Sequence, residues 1–178
     1  MMEYIHDPVE FFTKKETKEK VNLATQTFNK LVEGCVRKGW ACACLYQSVL
    51  LKELFAKNGI ESKVIQGWMK MSGMFQIWHC WVETTTEKYD VGQAVINELR
   101  PNTKVMNIEY SIEPDPHLET LESQVHEGNE KAWALYSENP DNFWDKSISL
   151  FSDSARKKDF KKVKTFRTKL LNSYKKKN

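Results

Sequence analysis

Residues 39–60 read G-W-A-C-A-C-L-Y-Q-S-V-L-L-K-E-L-F-A-K-N-G-I, residues 78–83 read W-H-C-W-V-E, and residues 89–92 read Y-D-V-G. The first run predicts a helix over roughly residues 43–58. Leu45, Val49, Leu50, Leu54 and Phe55 cover more than one side of it, so it belongs in the centre of a core. Asn58-Gly59 is a helix stop of the usual kind. Cys42 and Cys44 stand where that helix begins, and free N–H groups and partial positive charge at a helix start stabilise a thiolate. A histidine, His79, lies inside the second run, and an aspartate, Asp90, lies at the start of the third. A cysteine nucleophile needs those two side chains as its base and as the group that orients the base.

Outward from this stretch, residues 14–35 repeat apolar side chains (Val21, Ala24, Phe28, Leu31, Val32, Cys35) at three- and four-residue steps, an amphipathic helix. Gly34 and Gly39 are expected to mark its frayed end, and Cys35 to be a small buried hydrophobe. Residues 1–13 form an entry segment in which Phe11 and Phe12 are expected to anchor. Downstream, residues 61–68 and 75–85 read as strands joined by a turn around Ser72-Gly73, and residues 89–96 as a third strand. Helix first and antiparallel meander after it make the fold class α+β. Period two along the middle strand puts Ile77, His79 and Trp81 on one face and Trp78, Cys80 and Val82 on the other. With His79 turned toward the helix, Cys80 is expected outside any cluster that contains it.

After Leu99 the pattern weakens. Residues 113–116 (E-P-D-P) are a breaker, residues 117–136 suggest helix interrupted near Gly128, and residues 143–151 one more short helix. Residues 155–178 carry 11 Lys+Arg against the single acid Asp159, a net +10, so the rest of the chain has 16 bases against 23 acids and a net −7. Phe160, Val163, Phe166, Leu170, Leu171 and Tyr174 recur there at helical spacing. The tail reads as a basic amphipathic helix, docked on the acidic body or bound to an anionic partner, nucleic acid or a lipid surface.

At 178 residues, 40% hydrophobic and 29% charged, the chain has the composition of a soluble globular protein with a real core. No apolar run reaches the roughly 18 residues of a membrane span, and no signal sequence opens the chain, so a cytoplasmic protein with reduced cysteines is expected. The body is too acidic to bind nucleic acid by charge alone.

The pieces Cys44, Gly59-Ile60, Gly67-Trp68, His79-Cys80-Trp81-Val82-Glu83 and Tyr89-Asp90-Val91 resemble, in order and spacing, the transglutaminase-like branch of the papain-like cysteine fold. The resemblance covers about a third of the chain. It implies a papain-like core, a central helix carrying the cysteine packed on an antiparallel sheet, within a domain of residues 1–154 (core about 14–100), followed by extra C-terminal helices including the tail of residues 155–178. It selects Cys44 over Cys42 as nucleophile, because the family's helix runs about 15 residues from nucleophile to Gly-Ile. His79 then moves the proton and Asp90 orients it. Cys42 falls where many members have glycine, and is either a small residue in a tight turn or a redox partner. The implied activity is acyl transfer through a thioester on a protein or peptide substrate. Hydrolysis is expected over cross-linking transglutaminase activity, since the chain is small. A catalytically inactive binding module on the same fold is the alternative. A zinc module built on Cys35, Cys42, Cys44 and His79 or Cys80 fits poorly, for C-x-C is not the usual knuckle. No cofactor or metal is expected, and no calcium loop of the D-x-D-x-D-G kind occurs.

Overall fold

The computed structural model describes residues 17–41, 43–103, 107–121 and 124–175. Phe11, Phe12 and Cys42 lie outside them. The fold is α+β and the chain divides into two compact units, Met1–Leu121 and Glu122–Asn178.

In the first unit, helix α1 spans Lys18–Lys38. Thr17 caps it by accepting the Lys20 N–H, and Glu19 at its start and Arg37 and Lys38 at its end complement the helix dipole. Ala24, Leu31, Val32 and Cys35 form its buried stripe. The helix runs through Gly34, which is buried inside it, and stops at Gly39. Gly39 takes the left-handed conformation at φ 61° and returns its N–H to the carbonyls of Cys35 and Val36. The expected fraying at Gly34 does not occur, because packing of that face holds the last turn.

Helix α2, Cys44–Lys57, is buried on nearly all sides through Leu45, Val49, Leu50, Leu51, Leu54 and Phe55. Its far end is tied to α1: Asn58 donates to Thr27 Oγ1 at 2.9 Å and Lys20 donates to the Gly59 carbonyl at 2.8 Å.

Strands β1 (Lys63–Met71) and β2 (Phe75–Glu83) pair antiparallel over their whole length, with Gly67 opposite His79. The turn uses Ser72 and Gly73, both at positive φ, and closes with the Met74 N–H on the Met71 carbonyl. A two-residue strand β3, Lys88–Tyr89, continues the meander. The third strand expected over residues 89–96 ends there. Asp90 caps a helix, α3 (Val91–Leu99), by accepting the Gln93 N–H at 2.9 Å. The short run V-G-Q-A-V-I suits either period, and the cap decides it. Strand β4, Ile108–Ser111, lies against β1, and β5, Glu119–Thr120, runs parallel to the start of β2. The order is β3-β2-β1-β4 with β5 beside β2.

Which sheet face meets α2 is fixed by Tyr89. Val82 pairs with Tyr89, whose ring sits 5.3 Å from Phe55 of α2 and 5.4 Å from Phe28 of α1. The face of Val82 and Cys80 therefore packs on the helices, and that of His79 and Trp81 turns away.

In the second unit, α4 (Gln124–Glu138) passes through Gly128 without interruption, and α5 (Phe143–Lys146) leads into a short 3₁₀ turn. The basic segment forms α6, Ser154–Lys175. Its Phe160 is buried against Trp144 at 6.1 Å and Phe151 at 5.1 Å, while Lys157, Lys158, Lys161, Lys162 and Lys169 are exposed. Lys164 pairs with Asp145 at 2.6 Å, and Arg167 lies over the Trp144 ring. Among the described residues no helix is long and apolar enough to cross a membrane.

Candidate active site

Cys44 is the first residue of α2, and Ala43 before it supplies no side-chain cap. The connector that sets this start is held from both helices. The Trp40 N–H donates to the Cys35 carbonyl at 2.9 Å, and Gln47 of α2 donates through Nε2 to the Trp40 carbonyl at 2.7 Å. Among the described cysteines, Cys35 and Cys80 are buried free thiols, and Cys44 alone is partly exposed.

The structure brings Cys44, His79 and Asp90 together. His79 Nε2 lies 2.8 Å from Asp90 Oδ2, with both side chains buried. That bond occupies Nε2 and leaves Nδ1 for the Cys44 sulfur, to which the imidazole is hydrogen-bonded. Gly92 marks how tightly the three meet. A Cβ placed there would lie 3.2 Å from His79 Cε1, 3.3 Å from Cys44 Cβ and 3.5 Å from Asp90 Oδ1. Asp90 serves two structures at once, since Oδ1 caps α3 while Oδ2 faces the imidazole.

Cys80 is part of the cluster, contrary to the sequence expectation. Its thiol and its backbone N–H both hydrogen-bond the Cys44 sulfur. The period-two rule separates the faces of His79 and Cys80 correctly. The face turned to α2 is that of Cys80, so Cys80 meets the helix start directly, while His79 reaches Cys44 from the other side.

The electrostatics follow from these contacts. The Cys80 hydrogen bond, then the charge and hydrogen bond of His79, hold the Cys44 thiol well below its ordinary value despite burial. Burial alone would lower His79, yet the charges of Asp90 and then Cys44 raise it well above its ordinary value. Burial opposes ionisation of Asp90, and is outweighed by His79, the Gln93 N–H and the Tyr110 hydroxyl, which bring it below the usual carboxylate value. Cys80 moves the other way: burial, then its bond to Cys44, push it well up, so it keeps its proton and donates it. Cys35, which burial pushes up to about 12, is an ordinary buried thiol hydrogen-bonded to Gln47.

A thiolate beside an imidazolium, itself held by a carboxylate, is an arrangement able to attack a carbonyl carbon and return a proton to the leaving group. Among the described residues no cluster of three or more His, Cys, Asp and Glu side chains could hold a metal ion.

Sequence reasoning missed Tyr110 of β4, whose hydroxyl donates to Asp90 Oδ2 at 2.6 Å. That strand is only four residues long, too brief for the alternation in I-E-Y-S-I, residues 108–112, to mark it in the sequence. Trp81, quoted in the W-H-C-W-V-E run, is fully buried and donates to Glu83 Oε1 at 2.8 Å. Gly67 is required beside it, since a Cβ there would be 2.6 Å from the Trp81 ring and would strike the Ser111 carbonyl. Comparison with family models, curated proteins and solved structures found no match to this chain.

Proposed function

We propose that this chain performs thiol-dependent acyl transfer, hydrolysing a peptide or carboxamide bond in a protein or peptide substrate, on a core of the papain-like, transglutaminase-like type. The observation that carries the reading is the 2.8 Å bond between His79 Nε2 and Asp90 Oδ2, with the other imidazole nitrogen left to a cysteine at the first position of a helix. In the proposed reaction the Cys44 thiolate adds to the carbonyl carbon. Main-chain N–H groups in the first turn of α2, which no side chain caps, donate to the developing oxyanion. His79 then gives its Nδ1 proton to the leaving amine as the C–N bond breaks, and a thioester remains on Cys44. Water, deprotonated by the now neutral imidazole, attacks the thioester, and the thiol leaves with the acid product. Asp90 stays ionised throughout and holds the imidazole in line.

A reducing, cytoplasmic setting suits a reaction that needs Cys44 as a free thiol. For α6 we keep the proposal of an anionic partner, nucleic acid or a lipid surface. It is supported by the exposed lysines, whose opposite face is already used by Phe160 against Trp144.

The test is alkylation of Cys44 against pH, read by site-resolved mass spectrometry, in the wild type and in His79→Ala. The expected result is an apparent pKa well below the ordinary thiol value of about 8.5 in the wild type, and a loss of about tenfold or more in rate near pH 6 in the variant. Ordinary thiol behaviour in both proteins removes the enzyme reading.

A further inference from the structure

Asp90 Oδ2 receives two donors. His79 Nε2 approaches at 2.8 Å and the Tyr110 hydroxyl at 2.6 Å, while Oδ1 takes the Gln93 N–H at 2.9 Å. A carboxylate has one soft torsion, about its Cβ–Cγ bond, and three donors on two oxygens fix it. Tyr110 is itself immobilised. Its ring lies 5.0 Å from that of the fully buried Trp81, and Lys88 Nζ sits 4.9 Å from its centroid and 5.5 Å from that of Trp81. Lys88 is held in turn by Glu83 at 3.7 Å, and Glu83 by the Trp81 indole N–H. A lysine over the ring face draws electron density from the phenol and strengthens its O–H as a donor.

We propose that Tyr110 is a positioning residue of this site: its hydroxyl fixes Asp90 Oδ2 in line with His79 Nε2 and takes a share of the carboxylate charge, so it sets the pH at which the imidazolium gives up its proton. The inference rests on the acyl-transfer reading of Cys44, His79 and Asp90 and goes further by assigning a fourth side chain to it. The Tyr110 ring lies 6.4 Å from the imidazole of His79, a contact that Tyr110→Phe keeps, while the hydroxyl bonds Asp90 and acts on the imidazole through that carboxylate. Among the described residues, the titratable and charged groups facing the cluster are Cys44 from α2, Cys80 and Glu83 from β2, Lys88 from β3 and Asp90 at the start of α3. Burial, with the Asp90 charge added, pushes the Tyr110 phenol far up, so it remains a donor across the working pH range.

The sign of the effect follows from charge. A hydroxyl proton aimed at Oδ2 partly neutralises the charge that the imidazolium also uses. Without it the whole carboxylate charge faces His79, and the imidazolium persists to higher pH. Tyr110→Phe keeps the ring contacts to Trp81 and Lys88 and removes only the donor. The experiment is an NMR titration of the His79 ring in the full chain, one of four histidines, with Cys44 alkylation measured on the same samples. The expected result is an upward shift of His79 by about one pH unit, the size of a single hydrogen bond to a charged group, with a melting temperature lowered by several degrees and the fold retained. A second protein, with 3,5-difluorotyrosine placed at position 110, presents a more acidic hydroxyl on the same ring and should move His79 downward. A wild type with a raised His79 and a reactive Cys44, together with no shift or shifts of the opposite sign in these proteins, overturns the role of Tyr110 and leaves the acyl-transfer reading standing. An ordinary His79 and an ordinary Cys44 in the wild type overturn both.

Discussion

Gly92→Ala is a one-carbon perturbation whose effect can be worked out before it is made. Gly92 lies in the first turn of α3, where backbone propensity favours alanine by up to about 1 kcal/mol. Stability should therefore hold or rise unless the new methyl group meets something, and it does. Carbon–carbon contacts settle at about 3.5–4.0 Å, whereas the added Cβ would sit 3.2 Å from His79 Cε1 and 3.3 Å from Cys44 Cβ. Each must retreat by about 0.2–0.3 Å or more to reach that range. The methyl group touches both partners of the thiolate–imidazolium pair, so their retreat opens the gap between them. A misplacement of 1 Å can cost about a hundredfold in rate. A few tenths of an ångström, acting on a pair whose charges stabilise each other, should cost between about threefold and tenfold. The assay is Cys44 alkylation at pH 6, where an ordinary thiol is almost wholly protonated, beside a thermal melt. The expected outcome is a slower Cys44 with a melting temperature unchanged or slightly lowered, the crowding offsetting the helix-propensity gain. Unchanged alkylation together with an unchanged melt would refute the claim that Gly92 sets the closeness of the pair.

Three other perturbations read different parts of the site. Asp90→Asn retains a side-chain oxygen able to cap α3 and removes the charge facing His79, so the helix should persist while Cys44 alkylation at pH 6 falls by about tenfold or more. Its loss of stability, about 2 kcal/mol by urea unfolding, should depend on pH. The lowered Asp90 contributes fully above its unfolded value of about 3.9, and the raised His79 contributes fully below its unfolded value of about 6.5. The gap from wild type is thus widest between those values and closes as pH falls through the folded value of Asp90. Cys80→Ala removes a donor to the Cys44 sulfur and leaves the backbone N–H, so the alkylation midpoint of Cys44 should rise toward the ordinary thiol value; a fixed midpoint would show that the Cys80 thiol does not tune it. Gly67→Ala drives a methyl group into the Trp81 ring and the Ser111 carbonyl, neither of which has room to move, and should destabilise the fold by about 2 kcal/mol or more in urea unfolding.

The parts of the fold that were legible in the sequence are those with long periods. α1 and α2 show three- and four-residue recurrence over many turns, and the β1–β2 hairpin has Ser72-Gly73 at its bend, a pair able to take positive φ. α3 was not legible as helix, for a nine-residue apolar segment after a strand fits both periods until its cap is seen. β4 and β5 are four and two residues long, too short for alternation to stand out. Cys44, His79 and Asp90, which chemistry and order singled out in the sequence, lie together in the structure. Cys80 was misplaced for a different reason: alternation divides a strand into two faces and is silent on which face a helix will cover. Only the Val82–Tyr89 pair, with Phe55 against the ring, decides that.

The double use of Asp90 bears on how such a chain can change over time. One carboxylate starts a helix and aims an imidazole, so few replacements are open to it. Asn, Ser and Thr can still begin α3, and each silences the charge. Apolar residues lose both duties. Descendants released from the chemistry would therefore keep this architecture and drift at position 90 toward those three side chains. Descendants still under selection for it would hold aspartate there and glycine at position 92 together. The pair of positions becomes a readable record, in sequence alone, of whether the proposed reaction is under selection.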